Sequence, residues 1–239
     1  MTDTPTAAAL IIGNEILSGK TQDTNVAFLG KSLAALGISL REARVIRDEP
    51  EVIADVVNVL RASHTYVFTT GGIGPTHDDV TAESIALAFG VKLVLNEDAR
   101  SRLEHGMREL NEARLKMAMI PEGASLVDNP ISHAPGFRIG NVYVLAGIPN
   151  VARAMFESIA SELGRGAPIL SESIDLYMRE SELAAALDSI AKTYPEVEIG
   201  SYPFRRDDGY GAAIVVRGTD QARIDEAIRK VRETFLPEN

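Results

Sequence analysis

The densest group of residues that can bind a phosphate lies in a glycine-rich segment directly after a short apolar run. Residues 69–81 read TTGGIGPTHDDVT, with glycines at Gly71, Gly72 and Gly74. Glycines at the end of a parallel strand let backbone N–H groups approach an anion near the start of the next helix. The spacing matches neither a Walker A loop nor the G-x-G-x-x-G fingerprint, which argues against a kinase or a Rossmann dehydrogenase. A plain strand-to-helix turn with capping carboxylates is the simpler alternative.

Three polar side chains follow the glycines: His77, Asp78 and Asp79. Neighbouring side chains diverge in extended or turn backbone, so the two aspartates are expected to have different roles. One is expected to cap the following helix. The other, with His77 nearby, is expected to hold a divalent cation that neutralises phosphate charge, and oxygen ligands favour Mg²⁺ or Mn²⁺. On its own, His77 is an ordinary polar loop residue.

A second polar loop follows the first predicted strand. Residues 13–25 read GNEILSGKTQDTN, and this loop is expected to face the same crevice as the glycine-rich segment. Its last three residues occupy positions typical of a helix N-cap, a role that explains one of them. Glu15 and Asp23 are candidates to present carboxylates to a metal or a water. Asn25 is a candidate hydrogen-bond donor to a ring or a phosphate.

Two further features are weaker signals. Asp48, in the segment Arg-Asp-Glu at 47–49, either forms a third wall of the crevice or belongs to a solvated turn. Lys116 either meets a phosphate or favours the dipole at a helix end. The four histidines form no H-E-x-x-H pair, and no G-x-S-x-G elbow is present, which excludes a zincin and an α/β-hydrolase.

Alternating strands and helices are expected to position these loops. Apolar runs predict strands at 7–12, 66–70, 92–95 and 142–146, and alternation of apolar and polar residues predicts a strand at 38–46. Helical spacing predicts helices at 24–36, after Pro50, and at 81–89, 97–117 and 151–163. The 97–117 helix has Leu103, Met107, Leu110 and Leu115 on its apolar side. Prolines and glycines predict an irregular wall at 121–140. The order predicts an α/β fold with a doubly wound, mostly parallel sheet.

The pattern changes after a glycine- and proline-containing segment at 164–168. Beyond it, strand, helix, two strands and a final helix predict a small α+β unit with the order βαββα. We therefore expect domains at 1–166 and 167–239.

The amino-acid composition limits the kinds of molecule that the protein is expected to bind. The 34 acidic residues exceed the 24 Lys and Arg, for a formal net charge of −10, which disfavours nucleic acid and anionic membranes. No cysteine is present, which excludes disulfides and a Cys-based zinc site. The N-terminus shows neither a basic signal-peptide region nor a bilayer-length apolar run, so a cytoplasmic location is expected.

The two polar loops together resemble the molybdopterin-binding-like family. That family includes the N-terminal domain of competence/damage-inducible protein A, the molybdenum-cofactor proteins of the MogA and MoaB type, and the N-terminal region of animal FAD synthases. Weaker matches occur in the same order at 116–124, 134–137 and 147–149. The amino-acid sequences of residues 21–25 and 74–81 look most similar to the FAD-synthase branch. The segment at 199–203 also resembles that branch.

The resemblance implies a MogA/MoaB-like fold, a pocket for a nucleotide or a pterin, and a homo-oligomer. It implies catalytic roles for Asp79, Asp78 and Asp23 and metal ligation by Asp78, Asp79 and Glu15. Ligand-binding positions are implied at Gly13, Glu15, Asn25, Gly71, Gly72, Gly74, Pro75, Thr76, Thr81, Lys116, Gly147 and Pro149. In two branches the similar domain hydrolyses the pyrophosphate of ADP-ribose or FAD with a divalent metal (Mg²⁺, Mn²⁺ or Co²⁺), helped by K⁺.

Two positions depart from the competence-protein pattern. Ala146 replaces a proline, and Val151 replaces an acidic residue, so this sequence lacks a carboxylate that is a candidate metal ligand in that branch. Three hypotheses therefore stay open: a metal-dependent pyrophosphatase acting on an ADP-ribose- or FAD-like substrate, a molybdopterin-binding protein of molybdenum-cofactor biosynthesis, and a non-catalytic regulatory domain that has kept the pocket.

Overall fold

The computed structural model describes residues 4–106, 111–164, 166–207 and 209–236. The chain divides into two compact units, Met1–Gly166 and Ala167–Asn239. Each unit has its own hydrophobic core, as is usual for separate domains.

Strands and helices alternate along the first unit. Its elements are β1 (Thr6–Ile12), α1 (Asn14–Leu17), α2 (Asn25–Ala35), β2 (Ser39–Ile46), α3 (Pro50–Ser63), β3 (Tyr66–Thr70), α4 (Thr81–Phe89), β4 (Leu93–Leu95), α5 (Glu97–Gly106), α6 (Glu112–Leu115), a 3₁₀ turn (Lys116–Ala118), β5 (Met119–Pro121), β6 (Ser125–Val127), β7 (Gly136–Ile139), β8 (Val142–Leu145) and α7 (Pro149–Ile159). The five strands predicted for this unit are present, with ends within one residue of the prediction.

The main sheet has six strands in the order β2-β1-β3-β8-β7-β6. The first four are parallel, and β7 and β6 continue the sheet by antiparallel pairing. The predicted doubly wound, mostly parallel α/β fold is confirmed. Because β1, β2, β3 and β8 run in the same direction, the loops that follow them lie at one edge of the sheet, where α/β proteins bind ligands.

Burial on both faces of the sheet explains the apolar runs. In β1, Ala8, Leu10 and Ile12 pack into one core cluster together with α3 and α4, whereas Ala7 and Ala9 pack into the other together with α2 and α7. The second cluster includes Phe68 stacked on Tyr143, with ring centroids 5.2 Å apart. A strand between two helical layers needs apolar residues at every position, as the sequence of β1 shows.

Two sequence predictions in this unit were wrong. The segment 121–140 is not irregular throughout, because β6 and β7 extend the main sheet within it. The single helix predicted for 97–117 is instead α5, α6 and a 3₁₀ turn. Leu103 is buried as predicted, and Leu115 packs against the core, whereas Met107 and Leu110 lie outside the described residues. β4 pairs with β5 in a separate two-stranded antiparallel sheet.

The second unit has the predicted order βαββα. Its elements are β9 (Leu170–Leu176), α8 (Glu180–Thr193), β10 (Glu198–Arg206), β11 (Gly209–Gly218) and α9 (Gln221–Phe235). The sheet is antiparallel, in the order β10-β11-β9. One of its faces is covered by both helices, through residues such as Leu183, Ile214 and Val231.

The helices are short compared with a bilayer. The longest described helix, α9, has 15 residues. Within the described ranges, no helix combines the length and apolar composition needed to cross a membrane.

Candidate functional site

The glycine-rich loop after β3 has a backbone that only glycine fits. Gly71 and Gly72 have positive φ values of 106° and 65°. A Cβ at Gly71 would lie 2.1 Å from the carbonyl oxygen of Ile12, and a Cβ at Gly72 would lie 2.3 Å from Thr81 Oγ1. These positions combine an unfavourable backbone conformation with a lack of space, so the glycines are required for two reasons.

Thr81 fixes the loop from the first turn of α4. Its buried hydroxyl donates a hydrogen bond of 2.9 Å to the carbonyl oxygen of Gly71, and its N–H donates one of 3.0 Å to that of Gly72. Thr81 therefore acts on the loop conformation. The N–H groups of Gly72, Ile73 and Gly74 have no acceptor among the described residues, which leaves three donors in the loop for an anion.

The adjacent aspartates diverge, as predicted. Asp79 turns inward, where its Oδ2 accepts hydrogen bonds from the N–H of Thr76 (2.8 Å) and from its hydroxyl (2.5 Å). Asp78 is exposed, and hydrogen bonding by the Thr76 side chain, followed by its own N–H, lowers the pKa of its carboxyl group. The prediction that one aspartate caps α4 was wrong, because Val80 is the N-cap residue and no side chain bonds there.

Lys116 reaches the same loop from the 3₁₀ turn. Its Nζ donates a 2.8 Å hydrogen bond to the carbonyl oxygen of Thr76, 40 residues away in sequence. Lys116, Asp79 and Gly74 line a concavity that is open to solvent, which we call the glycine-loop pocket. Its remaining lining is Gly72, Ile73, Ala82, Glu83, Leu93, Met117, Met119, Ile120, Pro135 and Phe137. The pocket thus combines one cation, two carboxylates and an apolar wall.

The loop after β1 lines a second concavity that is open to solvent, which we call the Asn25 pocket. Asn25 is buried, and its Nδ2 donates a 2.9 Å hydrogen bond to the carbonyl oxygen of Gly147. Its Oδ1 has no hydrogen-bond partner. The pocket is also lined by Ile11, Ile12, Glu15, Ile16, Thr21, Gln22, Asp23, Thr24, Thr70, Gly147 and Pro149. Asn25 was predicted to donate to a ligand, but the atom it leaves without a partner is an acceptor.

Asp23 makes a hydrogen bond at the N-terminus of a helix, which was the simpler role considered for this loop. Its Oδ1 accepts a 3.0 Å hydrogen bond from the N–H of Val26 in the first turn of α2. This bond satisfies an N–H group of the first turn from the residue before the N-cap, Thr24, which itself makes no side-chain capping bond, and the Asp23 side chain also lines the Asn25 pocket.

The two pockets meet at three closely packed backbone segments. Gly71 lies against the carbonyl of Ile12, and a Cβ at Gly147 would lie 3.2 Å from Gly71 Cα. Ile12 and Gly147 line the Asn25 pocket, and Gly72 lines the glycine-loop pocket.

The structure also places Asp48, a weak candidate in the sequence, near the site. Its Oδ2 accepts a 2.8 Å hydrogen bond from the N–H of Asn14. Burial raises the pKa of Asp48; the Asn14 hydrogen bond opposes this, and the charges of Glu15 and Asp78 add to it. The carboxyl ends of β1, β2 and β3 therefore share an electronegative region.

This raised pKa predicts a pH dependence of stability. Since the folded state binds the Asp48 proton more tightly than the unfolded state, its ionisation destabilises the fold as pH rises from the normal aspartate pKa through the raised value. We expect Asp48→Asn, whose amide oxygen can still accept from Asn14, to gain stability relative to the wild type between about pH 4 and pH 7. Urea unfolding at both pH values measures this difference. If the free energy of unfolding differs between the two proteins by the same amount at pH 4 and at pH 7, Asp48 ionisation does not affect folding.

The three predicted metal ligands are not gathered at one point. Asp79 lines the glycine-loop pocket, Glu15 lines the Asn25 pocket, and Asp78 lies at the surface. In the described part of the chain, no group of three or more His, Asp or Glu side chains is arranged to hold a metal ion. Mg²⁺ commonly binds through one or two carboxylates together with substrate phosphates, and Asp79 fits that smaller role.

The other predicted residues lie beside the pockets. Gly13 contacts the Glu15 carboxylate, and Pro75 is an exposed loop residue. Sequence reasoning missed Thr70 and Phe137, which line the Asn25 pocket and the glycine-loop pocket respectively. Thr70 was detectable as a hydroxyl at the carboxyl end of a buried strand, and Phe137 lies in the segment 134–137, whose resemblance to the family did not assign it a role.

Each of the two units matches a known protein family. Residues 8–165 match the family described as "Probable molybdopterin binding domain". The chain belongs to this molybdopterin-binding domain family. Residues 168–239 match "FAD synthase, middle domain".

Relatives of this molybdopterin-binding domain protein extend over both units. A protein from Archaeoglobus fulgidus is 34% identical over 93% of this chain and 94% of its own length. A "Probable FAD synthase" from Caenorhabditis briggsae is 30% identical over 97% of this chain but only 49% of its own length. The chain is therefore similar to about half of that FAD synthase.

A solved structure confirms the fold of the molybdopterin-binding domain. The protein CinA from Thermoplasma acidophilum, described as having unknown function, superposes with a TM-score of 0.62 and 34% identity. The match covers 66% of this chain and 98% of that one.

Val151, a departure from the competence-protein pattern, is buried in the core beside α2, so its side chain packs in the interior.

Proposed function

We propose that the first unit binds a nucleotide with a pyrophosphate linkage, of the ADP-ribose or FAD type, and hydrolyses that linkage with a divalent metal. The observation that carries the proposal is the convergence of Lys116, Asp79 and the unpaired loop N–H groups on the glycine-loop pocket. The FAD-synthase relatives support the choice of substrate class.

The residues of the pocket have separable roles in this proposal. The N–H groups of Gly72, Ile73 and Gly74 donate to the phosphate oxygens, and the Lys116 ammonium group balances their charge. Asp79 would hold a divalent metal together with the substrate phosphates, and such a metal, when bound, would supply neutralisation of the phosphate charge. The apolar wall formed by Met117, Ile120 and Phe137 limits access of water from one side.

The reaction is a hydrolysis. The oxygen of water forms a bond to one phosphorus, the bond from that phosphorus to the bridging oxygen breaks, and the bridging oxygen leaves with the other phosphate. ADP-ribose then gives AMP and ribose 5-phosphate, and FAD gives AMP and FMN.

Metal removal tests this proposal. Purified full-length protein is offered ADP-ribose or FAD with K⁺ and Mg²⁺, Mn²⁺ or Co²⁺, and AMP is measured chromatographically. We expect chelation to lower AMP release at least about tenfold and added metal to restore it, because phosphate charge is then no longer neutralised. Equal rates with and without chelator would contradict the metal requirement. No AMP with any metal would reject hydrolysis of these substrates.

A second candidate is a pterin-binding protein without turnover. It is favoured by the absence, among the described residues, of a cluster of three acidic or histidine metal ligands. Binding of a pterin phosphate to metal-free protein, with no nucleotide hydrolysis, is the result that would support it.

A further inference from the structure

Thr76 makes hydrogen bonds to two charged residues of the glycine-loop pocket. Its N–H and its hydroxyl both donate to Asp79 Oδ2, over 2.8 and 2.5 Å. Its carbonyl oxygen accepts a 2.8 Å bond from Lys116 Nζ. Thr76 itself is exposed and is not part of the pocket lining. A residue outside the pocket wall is therefore bonded to a carboxylate and to the cation that line the pocket.

The charged groups of Lys116 and Asp79 are not paired with each other. Both residues belong to the described part of the chain, and no ion pair joins them. Opposite charges that line one pocket attract each other, and a direct pair would occupy the groups that a phosphate and a metal need. Thr76 gives each group a neutral partner instead. An ammonium group has three N–H donors, so its bond to Thr76 leaves two for a ligand.

The carboxylate of Asp79 is held by one of its oxygens. Both bonds from Thr76 reach Oδ2, whereas Oδ1 has no hydrogen-bond partner among the described residues. Gly74 provides the space, because a Cβ there would lie 2.6 Å from Oδ2. Any residue except proline supplies the N–H donor, but the hydroxyl requires threonine or serine. The hydroxyl is therefore the contact that depends on the amino-acid type at position 76.

We propose that Thr76 is a positioning residue that keeps the Asp79 carboxylate from pairing with Lys116, so that the carboxylate stays available to a metal and the ammonium group to a phosphate. The inference rests on the proposed function for what binds in the pocket. The family resemblance implied that Thr76 binds the ligand. Here Thr76 acts on the ligand through Asp79 and Lys116.

The two adjacent aspartates provide matched backgrounds for a test. Hydrogen bonding by the Thr76 side chain also lowers the pKa of Asp78, and a hydroxyl has one proton to donate. Asp78 is exposed and lines neither pocket, whereas Asp79 lines the glycine-loop pocket. If Thr76 acts through Asp79, its substitution should matter in an Asp78→Asn protein and lose its effect in an Asp79→Asn protein.

Three single variants separate the hydroxyl from the shape of the side chain. Thr76→Val keeps the shape and removes the hydroxyl, and Thr76→Ser keeps the hydroxyl. Gly74→Ala retains the N–H and places a methyl group against Asp79 Oδ2, which displaces the end of a flexible side chain. All three variants should remain folded, and urea unfolding of the full chain checks this.

Calorimetric titration with inorganic pyrophosphate, with and without Mn²⁺, measures the effect on binding without turnover. We expect Thr76→Val and Gly74→Ala to weaken Mn²⁺-dependent binding about five- to tenfold, because the carboxylate is no longer held in place. Thr76→Ser should bind pyrophosphate like the wild type. A side chain that served only to stabilise the loop would not make the loss of affinity depend on Mn²⁺.

Kinetics with ADP-ribose or FAD in double mutants show which aspartate transmits the effect. We expect Thr76→Val to lower kcat about tenfold and to raise the Mn²⁺ concentration for half-maximal rate by a similar factor. The same substitution should lower kcat less than about twofold further in Asp79→Asn, and still about tenfold in Asp78→Asn.

Wild-type pyrophosphate affinity in Thr76→Val would overturn the inference. Equal impairment of Thr76→Val and Thr76→Ser would do the same, as would a full effect of Thr76→Val in the Asp79→Asn background. A wild type that binds no pyrophosphate would also overturn it, because Thr76 would then arrange no anion site. Failure of the hydrolase proposal is a different result: no metal supports release of AMP, yet Thr76→Val and Gly74→Ala still bind pyrophosphate more weakly than the wild type and Thr76→Ser.

Discussion

Gly71→Ala is expected to destabilise the first unit by about 3–5 kcal/mol and to abolish measurable nucleotide binding. The new methyl group would lie 2.1 Å from the carbonyl oxygen of Ile12, and the residue has a φ of 106°. Relief of the clash must separate the end of β3 from the end of β1, which is the junction between the two pockets. Both pockets should therefore lose their shape together.

Gly19→Ala provides the control for backbone strain. Gly19 also has a positive φ, 73°, but a Cβ there would have nothing within 4 Å. Its substitution should cost about 1–2 kcal/mol from backbone conformation alone and leave ligand affinity unchanged. Urea unfolding and AMP titration of both variants measure the difference. If the two substitutions lower the free energy of unfolding by similar amounts, close packing against Ile12 is not the reason that residue 71 must be glycine.

The sheet and the location of the site could be predicted because their signals are local. An uninterrupted apolar run such as 7–12 predicts a strand covered on both faces, and the structure confirms this for β1. The order of elements then places the loops after β1 and β3 at one edge. Asp79, Lys116 and Gly74 do line one pocket there.

The hydrogen bonding of the site could not be predicted, because it joins distant segments. Lys116 bonds the backbone of Thr76, and Asn25 bonds that of Gly147, and no local pattern encodes either pair. The bond to Gly147 uses the Asn25 Nδ2 and leaves its Oδ1 without a partner, which the sequence did not indicate. The segment 121–140 was misjudged for a similar reason, since its short strands are held by pairing of β7 with β8 and of β6 with β7 rather than by their own propensity.

Asp79→Asn is expected to lower the turnover of the preferred pyrophosphate substrate about 100-fold while the loop keeps its structure. The carboxylate has two functions in the fold and the proposed reaction. Its Oδ2 accepts from the N–H and hydroxyl of Thr76, and its charge is offered to a metal at the phosphates. An asparagine oxygen can still accept from the Thr76 N–H, so the substitution mainly removes the charge.

Asp55→Asn is the matched control, because Asp55 is an exposed residue in the middle of α3 and lines neither pocket. Steady-state kinetics as a function of Mn²⁺ concentration, with urea unfolding of each variant, separates the two functions of Asp79. Loss of charge should raise the metal concentration needed for half-maximal rate and lower kcat, with stability within about 1 kcal/mol of the wild type. If Asp79→Asn instead unfolds more easily but retains its kcat and metal dependence, Asp79 serves only to hold Thr76, and the metal must bind through the phosphates and other groups.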